Sequence, residues 1–363
     1  MRIAYFINTL KSINWGGQAT STGIRYLTEK EYQNAEFIPL DLPNLLYKEY
    51  RLFQQYYDRK LLNALIDDNK KSVLSILKKM NIPETFFDEY THICFNGEGA
   101  VHYNSGHLIR FMGLLYLAKI KSKTVASINQ TIDLNHQKKL EVLVSKIYNS
   151  CDFVSVREPL SLEYAHKIGI LNCRLIPDAV YGLPKIPSEE VDAITKSYNL
   201  PEHYLTVTGS SILKRDSRSV RKMRIIIEAA KTVFPGIPIV FMANAKTDIY
   251  LAHKLQEKYQ LRILESPTVG YHDAVAIIAN ADILIGGRQH PNIFAYIYQT
   301  PYLAFDGNTF KNRGVSLLQE YPYAPIPFDT SIQKIISLMG EIKNTTITFH
   351  DIKIDNFCIF NQE

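Results

Sequence analysis

The chain has 363 residues, of which 46% are hydrophobic, and its formal net charge at pH 7 is +5. This length and composition allow more than one buried core, so about two domains are expected. The small basic excess, without a long Lys/Arg block, disfavours sequence-specific nucleic-acid binding and suits anionic small molecules or lipid headgroups. We therefore expect no nucleic acid among the partners.

The amino-terminal residues and the cysteines are typical of a cytoplasmic protein. Residues 1–8 lack the charged leader, long apolar region and cleavage site of a signal peptide, and they predict a first strand. The most apolar helix candidate, residues 108–118, is interrupted by Arg110 and is too short to cross a bilayer. The cysteine spacing contains no Cys-x-x-Cys, which predicts reduced thiols, no disulfide and no zinc site. The cysteines are Cys94, Cys151, Cys173 and Cys358.

Strands and helices alternate through the first half of the sequence. Short apolar runs that end in Gly, Pro or polar residues predict the strands, and longer runs with apolar residues at three-to-four spacing predict the helices. The predicted strands are 1–8, 35–38, 91–95, 123–128, 152–156 and 173–176. This alternation predicts a parallel sheet covered by helices on both faces.

A glycine pair, Gly16-Gly17, follows the first strand and comes directly after Asn14-Trp15. A Rossmann-like domain brings ligand and backbone together at this place, but the dinucleotide spacing Gly-x-Gly-x-x-Gly is absent, so a nicotinamide cofactor is disfavoured. The pair predicts either a tight turn or a loop that contacts substrate.

Residues 45–77 carry apolar side chains at helical spacing, interleaved with tyrosines and basic residues. An amphipathic helix of this composition suits a membrane surface or a lipid-linked acceptor. The alternative, which the commonness of basic amphipathic helices favours, is an ordinary helix pair whose tyrosines pack on the domain. Peripheral contact at the inner membrane surface is therefore left open.

Two glycines flank Glu98 in the sequence Asn96-Gly97-Glu98-Gly99, at the end of a predicted strand. A carboxylate on a strand-to-helix loop can act as a base or hold a sugar hydroxyl. The alternative is that Glu98 only compensates the dipole of the next helix.

Alternation restarts after a Pro-rich piece at 182–190, which predicts a linker. The strands predicted beyond it are 204–207, 238–242, 261–264, 282–285 and 301–305. We expect an N-terminal Rossmann-like domain on the acceptor side at 1–184 and a C-terminal one on the donor side at 185–330. A helix and tail at 331–363 complete the chain.

Arg288 and His290 follow the predicted strand 282–285 and precede a helix that starts near Pro291. Ligands of open α/β sheets bind outside the carboxyl ends of strands, where a helix amino terminus favours anions. In an extended segment, Arg288 and His290 would point to the same side, so a cation and an imidazole would face one ligand. The alternative is that Arg288 pairs with a surface carboxylate and His290 closes the loop.

These features predict two Rossmann-like, doubly wound domains in a GT-B-like arrangement. No Asp-x-Asp occurs in the chain, so the usual ligand pair of metal-dependent GT-A enzymes is missing and no metal is expected.

An ordered series of motifs resembles the polysaccharide pyruvyl transferase family. The series consists of Asn96-Gly97-Glu98-Gly99, Val156-Arg157-Glu158-Pro159 with Ser161, Ile176-Pro177-Asp178, Gly287-Arg288-Gln289-His290 with Ala295, Thr300-Pro301, and Asn308-Thr309 with Lys311. It covers most of the chain from 91 to 311. The early stretch Asn14-Trp15-Gly16-Gly17-Gln18 departs from the family's commoner Asn-x-Gly-Asp, which leaves the acceptor open.

The resemblance implies transfer of a pyruvyl group from phosphoenolpyruvate to a sugar of a cell-surface glycan or its precursor, as in exopolysaccharide or capsule biosynthesis. It implies no cofactor, because phosphoenolpyruvate or a nucleotide sugar is a donor substrate. His290 is the candidate acid, with Glu98 as the second catalytic residue, and Arg288 is the anion clamp. The other predicted donor-binding residues are Ser210, Lys214, Arg215, Arg218, Asn308 and Lys311. The predicted acceptor-binding residues are Asn14, Gly16, Gly17, Asn96 and Arg157.

Two other functions remain open. One is a GT-B glycosyltransferase that uses a nucleotide-activated acidic sugar, such as a CMP-linked ulosonic acid, with Ser210, Ser211 or Asn244 on the nucleotide. The other is a non-catalytic glycan- or phosphate-binding protein, in which His290 would have no chemical task. In both enzyme hypotheses, the acceptor is a glycan or lipid-linked glycan. The sequence does not indicate the oligomeric state.

Overall fold

The computed structural model describes residues 1–40, 54–266, 268–355 and 357–360. The chain divides into two compact units, and each is built from separate pieces of sequence. The first unit comprises Met1–Asn8, Gly23–Ala179 and Ile354–Glu363. The second comprises Thr9–Thr22 and Val180–Lys353.

A parallel sheet forms the centre of the first unit. Its strands are β1 (Arg2–Phe6), β2 (Glu36–Pro39), β3 (His92–Asn96), β4 (Thr124–Gln130), β5 (Phe153–Val156) and β6 (Cys173–Leu175). Their order across the sheet is β2-β1-β3-β4-β5-β6. The inner strands are almost entirely buried because helices cover both faces of a parallel sheet. Pro39 ends β2, and an edge strand tolerates it because one side of the strand needs no ladder hydrogen bonds.

Helices pack around this sheet. They are α1 (Trp15–Glu31), α2 (Gln54–Ile66), α3 (Lys70–Lys79), α4 (Leu108–Ile120), α5 (Lys138–Ser150) and α6 (Pro159–Lys167). The boundary between the units falls within α1. Part of the predicted insertion at 45–77 lies outside the described residues, and its described part is α2 and α3. Leu61, Leu65 and Leu77 are fully buried there, while Lys78 and Lys79 are exposed, as expected of helices that pack on a domain.

The second unit has its own parallel sheet. Its strands are β7 (Leu205–Ser210), β8 (Ile239–Ala243), β9 (Arg262–Glu265), β10 (Ile283–Gly287) and β11 (Tyr302–Ala304), in the order β11-β10-β7-β8-β9. The direction of strand addition reverses between β7 and β10. The loops that follow these two strands therefore leave the sheet toward opposite faces, which is where open α/β sheets bind ligands.

The helices of the second unit are α7 (Ser188–Ser197), α8 (Ser217–Val233), α9 (Lys246–Tyr259), α10 (Tyr271–Ala279), α11 (Gln289–Ile297), α12 (Lys311–Leu318) and α13 (Ile332–Asn344). One buried cluster includes residues of α8, α9 and α13. Another includes α10, α11 and the start of α1, from which Trp15 and Ala19 contribute. Among the described residues, no helix combines the length and apolarity that a membrane span requires.

The structure differs from the sequence prediction at the linker and the tail. The division of the main chain falls at Ala179/Val180, and the second part of the expected linker is helical because α7 begins at Ser188. Acidic residues in the first turn of α7 stabilise its amino terminus. The expected separate tail is split: α13 packs in the second unit, and Phe360 is buried in the first.

Candidate active site at the carboxyl edge of the second sheet

Arg288 occupies the position between β10 and α11, as the sequence predicts. Gly287, the last residue of β10, pairs with Ser210 of β7. A Cβ added at Gly287 would lie 2.6 Å from the Ser210 Cβ, a distance that no ordinary contact allows. Glycine is therefore required for the two strands to meet at this edge, and it brings the loops after β7 and β10 together.

The guanidinium of Arg288 forms a two-bond fork with Asp248 of α9. Its Nε donates to Oδ2 at 2.9 Å and its Nη2 donates to Oδ1 at 2.7 Å. The Asp248 side chain is fully buried and that of Arg288 is 13% exposed. Burial raises the pKa of Asp248, and the charge and hydrogen bonds of Arg288 oppose this effect. The partner of Arg288 is thus a buried carboxylate and not the surface carboxylate of the alternative prediction.

Gly209 of β7 makes the space that Asp248 occupies. A Cβ at Gly209 would lie 2.1 Å from Asp248 Oδ1. Sequence reasoning missed Asp248, because an acidic residue in the first turn of a helix is common and needs no ligand to explain it. Asp248 contacts Gly209 and Arg288, which lie about 40 positions away on either side in the sequence, so no local sequence pattern predicts these contacts.

His290 is the second residue of α11, and its side chain is largely enclosed. It is 7% exposed, and its Nε2 lies 3.0 Å from the Thr20 hydroxyl. A Cβ at Gly16 would lie 2.0 Å from Nδ1. The prediction that Arg288 and His290 point to one side assumed an extended segment, and this premise is wrong because His290 is helical. Different partners hold the two side chains in place: Asp248 holds Arg288, and Thr20 contacts His290.

The amino end of α1 supplies these contacts to His290. Asn14 precedes the helix, and its side-chain oxygen accepts the N–H of Gly16 at 2.9 Å and that of Gly17 at 3.3 Å. The indole N–H of Trp15 donates to the Val269 carbonyl at 2.7 Å. The glycine pair lies in the first turn of a helix, so the prediction of a tight turn is wrong. Tertiary packing against His290 outweighs the low helix propensity of glycine.

The other predicted donor residues follow β7 and β11. Ser210 Oγ donates to the Asp306 carbonyl at 3.1 Å. Ser211 Oγ and Asn308 Oδ1 are 2.9 Å apart. Lys311 begins α12, and a Cβ at Gly307 would lie 3.2 Å from its Cε. The structure therefore brings this group together beside the end of β10.

The basic residues of the loop after β7 lie farther along the chain from this group. They are Lys214, Arg215 and Arg218, and all three are exposed. The last of them lies in the first turn of α8, whose N-cap is Asp216. The Asp216 carboxylate accepts the Ser219 N–H at 2.7 Å. Solvent exposure leaves all three cations able to reach an anion.

Several buried polar atoms at this edge have no hydrogen-bond partner among the described residues. They lie at or near the ends of strands, or in the first turns of the helices α11 and α12. The atoms are Thr208 Oγ1, Asn244 Oδ1, Ser266 Oγ, Asn292 Oδ1 and Asn312 Oδ1. Buried polar atoms are normally paired, so their concentration here marks the edge as a place for a polar ligand. Of these, sequence reasoning named only Asn244.

The remaining predicted residues belong to the first unit, at the carboxyl edge of its sheet. Glu98 is half-buried with a φ of 33°. Asn96 is fully buried, and its amide donates to Tyr5 Oη at 3.1 Å. Arg157 is 1% exposed and donates from Nη1 to Asp178 Oδ2 at 2.9 Å. The predicted acceptor residues are therefore divided between the units, because Asn14, Gly16 and Gly17 belong to the second.

Glu158, next to Arg157, has a structural role that the sequence did not reveal. It is the N-cap of α6, and its carboxylate accepts the backbone N–H of Ser161 at 3.0 Å as well as the Ser161 hydroxyl. It is fully buried, and this burial raises its pKa to about 7. In the described part of the chain, no three His, Cys, Asp or Glu side chains are grouped to hold a metal ion.

Comparisons with known proteins agree with the two-sheet architecture. A family model described as polysaccharide pyruvyl transferase matches residues 14–309. No curated protein sequence matches the chain. Among solved structures, UDP-GlcNAc 2-epimerase from Methanocaldococcus jannaschii, in complex with UDP-GlcNAc and UDP, is similar with a TM-score of 0.61. It is 14% identical, and the match covers 98% of this chain and 96% of that one.

Two further structures are similar at the level of the fold. UDP-GlcNAc 2-epimerase from Neisseria meningitidis, bound to UDP-GlcNAc, has a TM-score of 0.59 and 10% identity over 94% of this chain and 91% of that one. Anabaena Alr3699/HepE, in complex with UDP, has a TM-score of 0.53 and 11% identity over 94% and 90%. These matches confirm the predicted fold class, two Rossmann-like domains of the GT-B-like type.

Proposed function

Because the chain belongs to the polysaccharide pyruvyl transferase family, we propose that it transfers a pyruvyl group from phosphoenolpyruvate to a sugar of a cell-surface glycan or its precursor. The observation that carries the proposal is that the side chains of Arg288 and His290 are both held in place. Both lie where β10 ends and α11 begins, and each is fixed by a buried partner or close contact. An anion clamp and an imidazole at the same strand-to-helix junction fit a donor that is both anionic and in need of a proton.

The reaction needs protonation of one carbon and two attacks by hydroxyl groups, each of which loses its proton. The methylene carbon of phosphoenolpyruvate takes a proton, and the neighbouring carbon becomes cationic. One sugar hydroxyl attacks this carbon, and a second hydroxyl then displaces the phosphate. A cyclic ketal and inorganic phosphate result, and the protons of the two hydroxyls balance the new methyl group and the released phosphate.

His290 is the proposed general acid. Its ring is held between the Thr20 hydroxyl at Nε2 and the backbone of Gly16 beside Nδ1. An imidazole that is already held in place loses no further rotational freedom when it transfers a proton. The proton of one attacking hydroxyl returns to His290 and restores the acid for the next turnover, and the proton of the other hydroxyl leaves with the phosphate.

Arg288 is the proposed anion clamp. A guanidinium has five N–H groups, and the fork to Asp248 uses two of them. The remaining three are directed away from the carboxylate, and two parallel N–H groups suit a carboxylate or phosphate. Ser210, Asn308 and Lys311 are proposed to complete the donor site, with Lys214, Arg215 and Arg218 attracting the second anionic group.

The acceptor side of the proposal includes Glu98 of the first unit. Glu98 is half-buried on the loop after β3, and we assign it the role of holding or deprotonating a sugar hydroxyl. Asn96 and Arg157 are engaged in buried contacts, so their proposed contribution is to shape the loops around Glu98. A glycan or lipid-linked glycan is the proposed acceptor.

Glycosyl transfer from a nucleotide sugar is the second candidate. Ala243 and Glu265 are paired in the sheet, so Asn244 and Ser266, which follow them, end adjacent strands. The side-chain oxygens of both are buried without a hydrogen-bond partner among the described residues. Neighbouring polar atoms of this kind suit the edge of a nucleotide base.

Thermal unfolding in the presence of phosphoenolpyruvate, and separately of CMP or UDP, tests the proposal. A ligand at about a hundred times its dissociation constant stabilises the folded protein by ~2.7 kcal/mol. We expect phosphoenolpyruvate to raise the melting temperature. A response to a nucleotide alone would favour the second candidate, and a response to none of these ligands would contradict both.

A further inference from the structure

We infer that Asp248 is a positioning residue of the donor site: it selects which edge of the Arg288 guanidinium meets the donor. This inference rests on the proposed function and deepens it. Asp248 lies in the first turn of α9, and its side chain is fully buried. It acts through Arg288 and is not assigned any contact with the reacting atoms.

The fork fixes the plane and the direction of the guanidinium. Asp248 accepts the N–H of Nε and one N–H of Nη2. The edge left for a second anion is therefore the end of the group, with one N–H from Nη1 and one from Nη2. That edge presents two parallel donors, the geometry that binds a carboxylate or phosphate through two bonds.

Asp248 is itself fixed from other sides. The backbone N–H of Asn244 also donates to its carboxylate, and Gly209 lies directly against it, since a Cβ there would be 2.1 Å from Oδ1. A long arginine side chain normally loses much rotamer freedom when it binds a ligand. An arginine held in place beforehand has already lost it, so the donor binds more tightly.

If only charge mattered, replacing Asp248 would change the donor affinity in the opposite direction. The Asp248 carboxylate carries a negative charge next to the proposed anion site, so removing that charge should strengthen the binding of an anion. The positioning role predicts weaker binding, because an unpaired guanidinium has no fixed orientation. The sign of the change in donor affinity separates the two explanations.

The first experiment compares Asp248→Asn with the wild type. The asparagine amide places N–H groups against an N–H of Arg288 and breaks the fork while keeping the side-chain volume. We expect the KM and the Kd for phosphoenolpyruvate to rise roughly 10- to 100-fold, with a smaller change in kcat, because the clamp holds the donor in both ground and transition states.

The matched control is Asp58→Asn in the first unit. Arg110 forms the same kind of fork with Asp58, from Nε and Nη2 at 2.9 Å each. Breaking this fork removes the same charge and the same number of hydrogen bonds. We expect a lower melting temperature and an unchanged KM for phosphoenolpyruvate.

A second experiment tests the route through Asp248 without changing a charged group. Gly209→Ala should displace the Asp248 carboxylate and thereby weaken donor binding. In a protein that already carries Asp248→Ala, the added methyl group has no carboxylate to displace. We therefore expect the double variant to bind the donor as Asp248→Ala does, and the two changes not to add.

The outcomes separate this inference from the proposed function. If the wild type binds a nucleotide and not phosphoenolpyruvate, the proposed function fails, and the same affinity ratios measured with that nucleotide still test Asp248. If Asp248→Asn binds the wild-type donor equally well or more tightly while its melting temperature falls, Asp248 is only structural and the inference is overturned. Additive effects of Gly209→Ala and Asp248→Ala would also overturn it.

Discussion

The imidazole of His290 has little freedom to turn. The Thr20 hydroxyl lies at Nε2, and the backbone of Gly16 lies beside Nδ1. A side chain enclosed in this way costs rotamer entropy when the protein folds, which is acceptable where a fixed position is needed. We regard this fixed position as the main property that the site gives its proposed acid.

His290→Ala tests this role. Proton transfer matters only in the transition state, so we expect turnover to fall by ~10² to 10⁴ while phosphoenolpyruvate still binds. Turnover, donor affinity and melting temperature should be measured together. A variant that folds normally and keeps wild-type turnover would remove His290 from the mechanism.

Glu158 makes the stability of the first unit depend on pH. Its folded-state pKa of about 7 lies above the ordinary value for a glutamate, so between these two values the folded protein holds a proton that the unfolded chain releases. The contribution of Glu158 to the free energy of unfolding is therefore present at low pH and is lost as the pH rises to about 7.

Glu158→Gln should remove this dependence, because glutamine resembles the protonated side chain at the N-cap. We expect the stability of the variant relative to the wild type to increase by roughly 2 kcal/mol between pH 5 and pH 8. Chemical denaturation at the two pH values measures it. A relative stability that is the same at both would show that Glu158 does not titrate in this range.

At the scale of elements, the position of α1 against α11 depends on a glycine. A Cβ at Gly16 would lie 2.0 Å from His290 Nδ1, so the helix can begin there only without a side chain. Alanine would improve the helix propensity by ~1 kcal/mol and at the same time displace the imidazole. The two effects have opposite consequences for stability and for catalysis.

We expect Gly16→Ala to lower turnover by about 10², since small displacements of a catalytic group have effects of this size. Gly340→Ala is the matched control. Gly340 lies in α13 with nothing within 4 Å of an added Cβ, so this variant should be up to ~1 kcal/mol more stable with unchanged turnover. Unchanged turnover in Gly16→Ala would mean that the ring tolerates the displacement.

The sequence predicts elements better than contacts. Short apolar runs located the strands within a few residues, because a strand buried on both faces must be apolar. Arg288 was placed correctly after β10, since glycines end the run. Asp248 and Thr20 were missed, because their links to the Arg-x-His segment join distant parts of the chain. The helical start at Gly16 was missed as well, since glycine predicts a turn unless its tertiary neighbour is known.

At the scale of the whole molecule, each unit is completed by a distant piece of sequence. Phe360 is 2% exposed in the first unit, and its backbone N–H donates to Tyr32 Oη while its carbonyl accepts from the same hydroxyl. The end of the described chain is thus part of the core that begins with β1.

Phe360→Ala should therefore destabilise the first unit by about 3 kcal/mol, the usual cost of such a truncation, and lower its melting temperature by roughly 6 to 12 °C. Leu171→Ala is the control in the same unit, since Leu171 is 78% exposed and should change stability by less than ~0.5 kcal/mol. Calorimetry measures both. Equal melting temperatures for the two variants would show that the 357–360 segment adds nothing to this core.

The interleaved pieces of the two units also set the order in which the protein can be completed during translation. The second unit has all its parts once residue 353 has been made, but the first unit, although nearly all of it is made earlier, lacks the residues around Phe360. At about 5–20 residues per second, the ribosome needs roughly 10 to 40 s to go from residue 180 to residue 360. During this time, the apolar residues of the first unit that pack against Phe360 stay uncovered, and exposed apolar surface at this stage of synthesis favours aggregation.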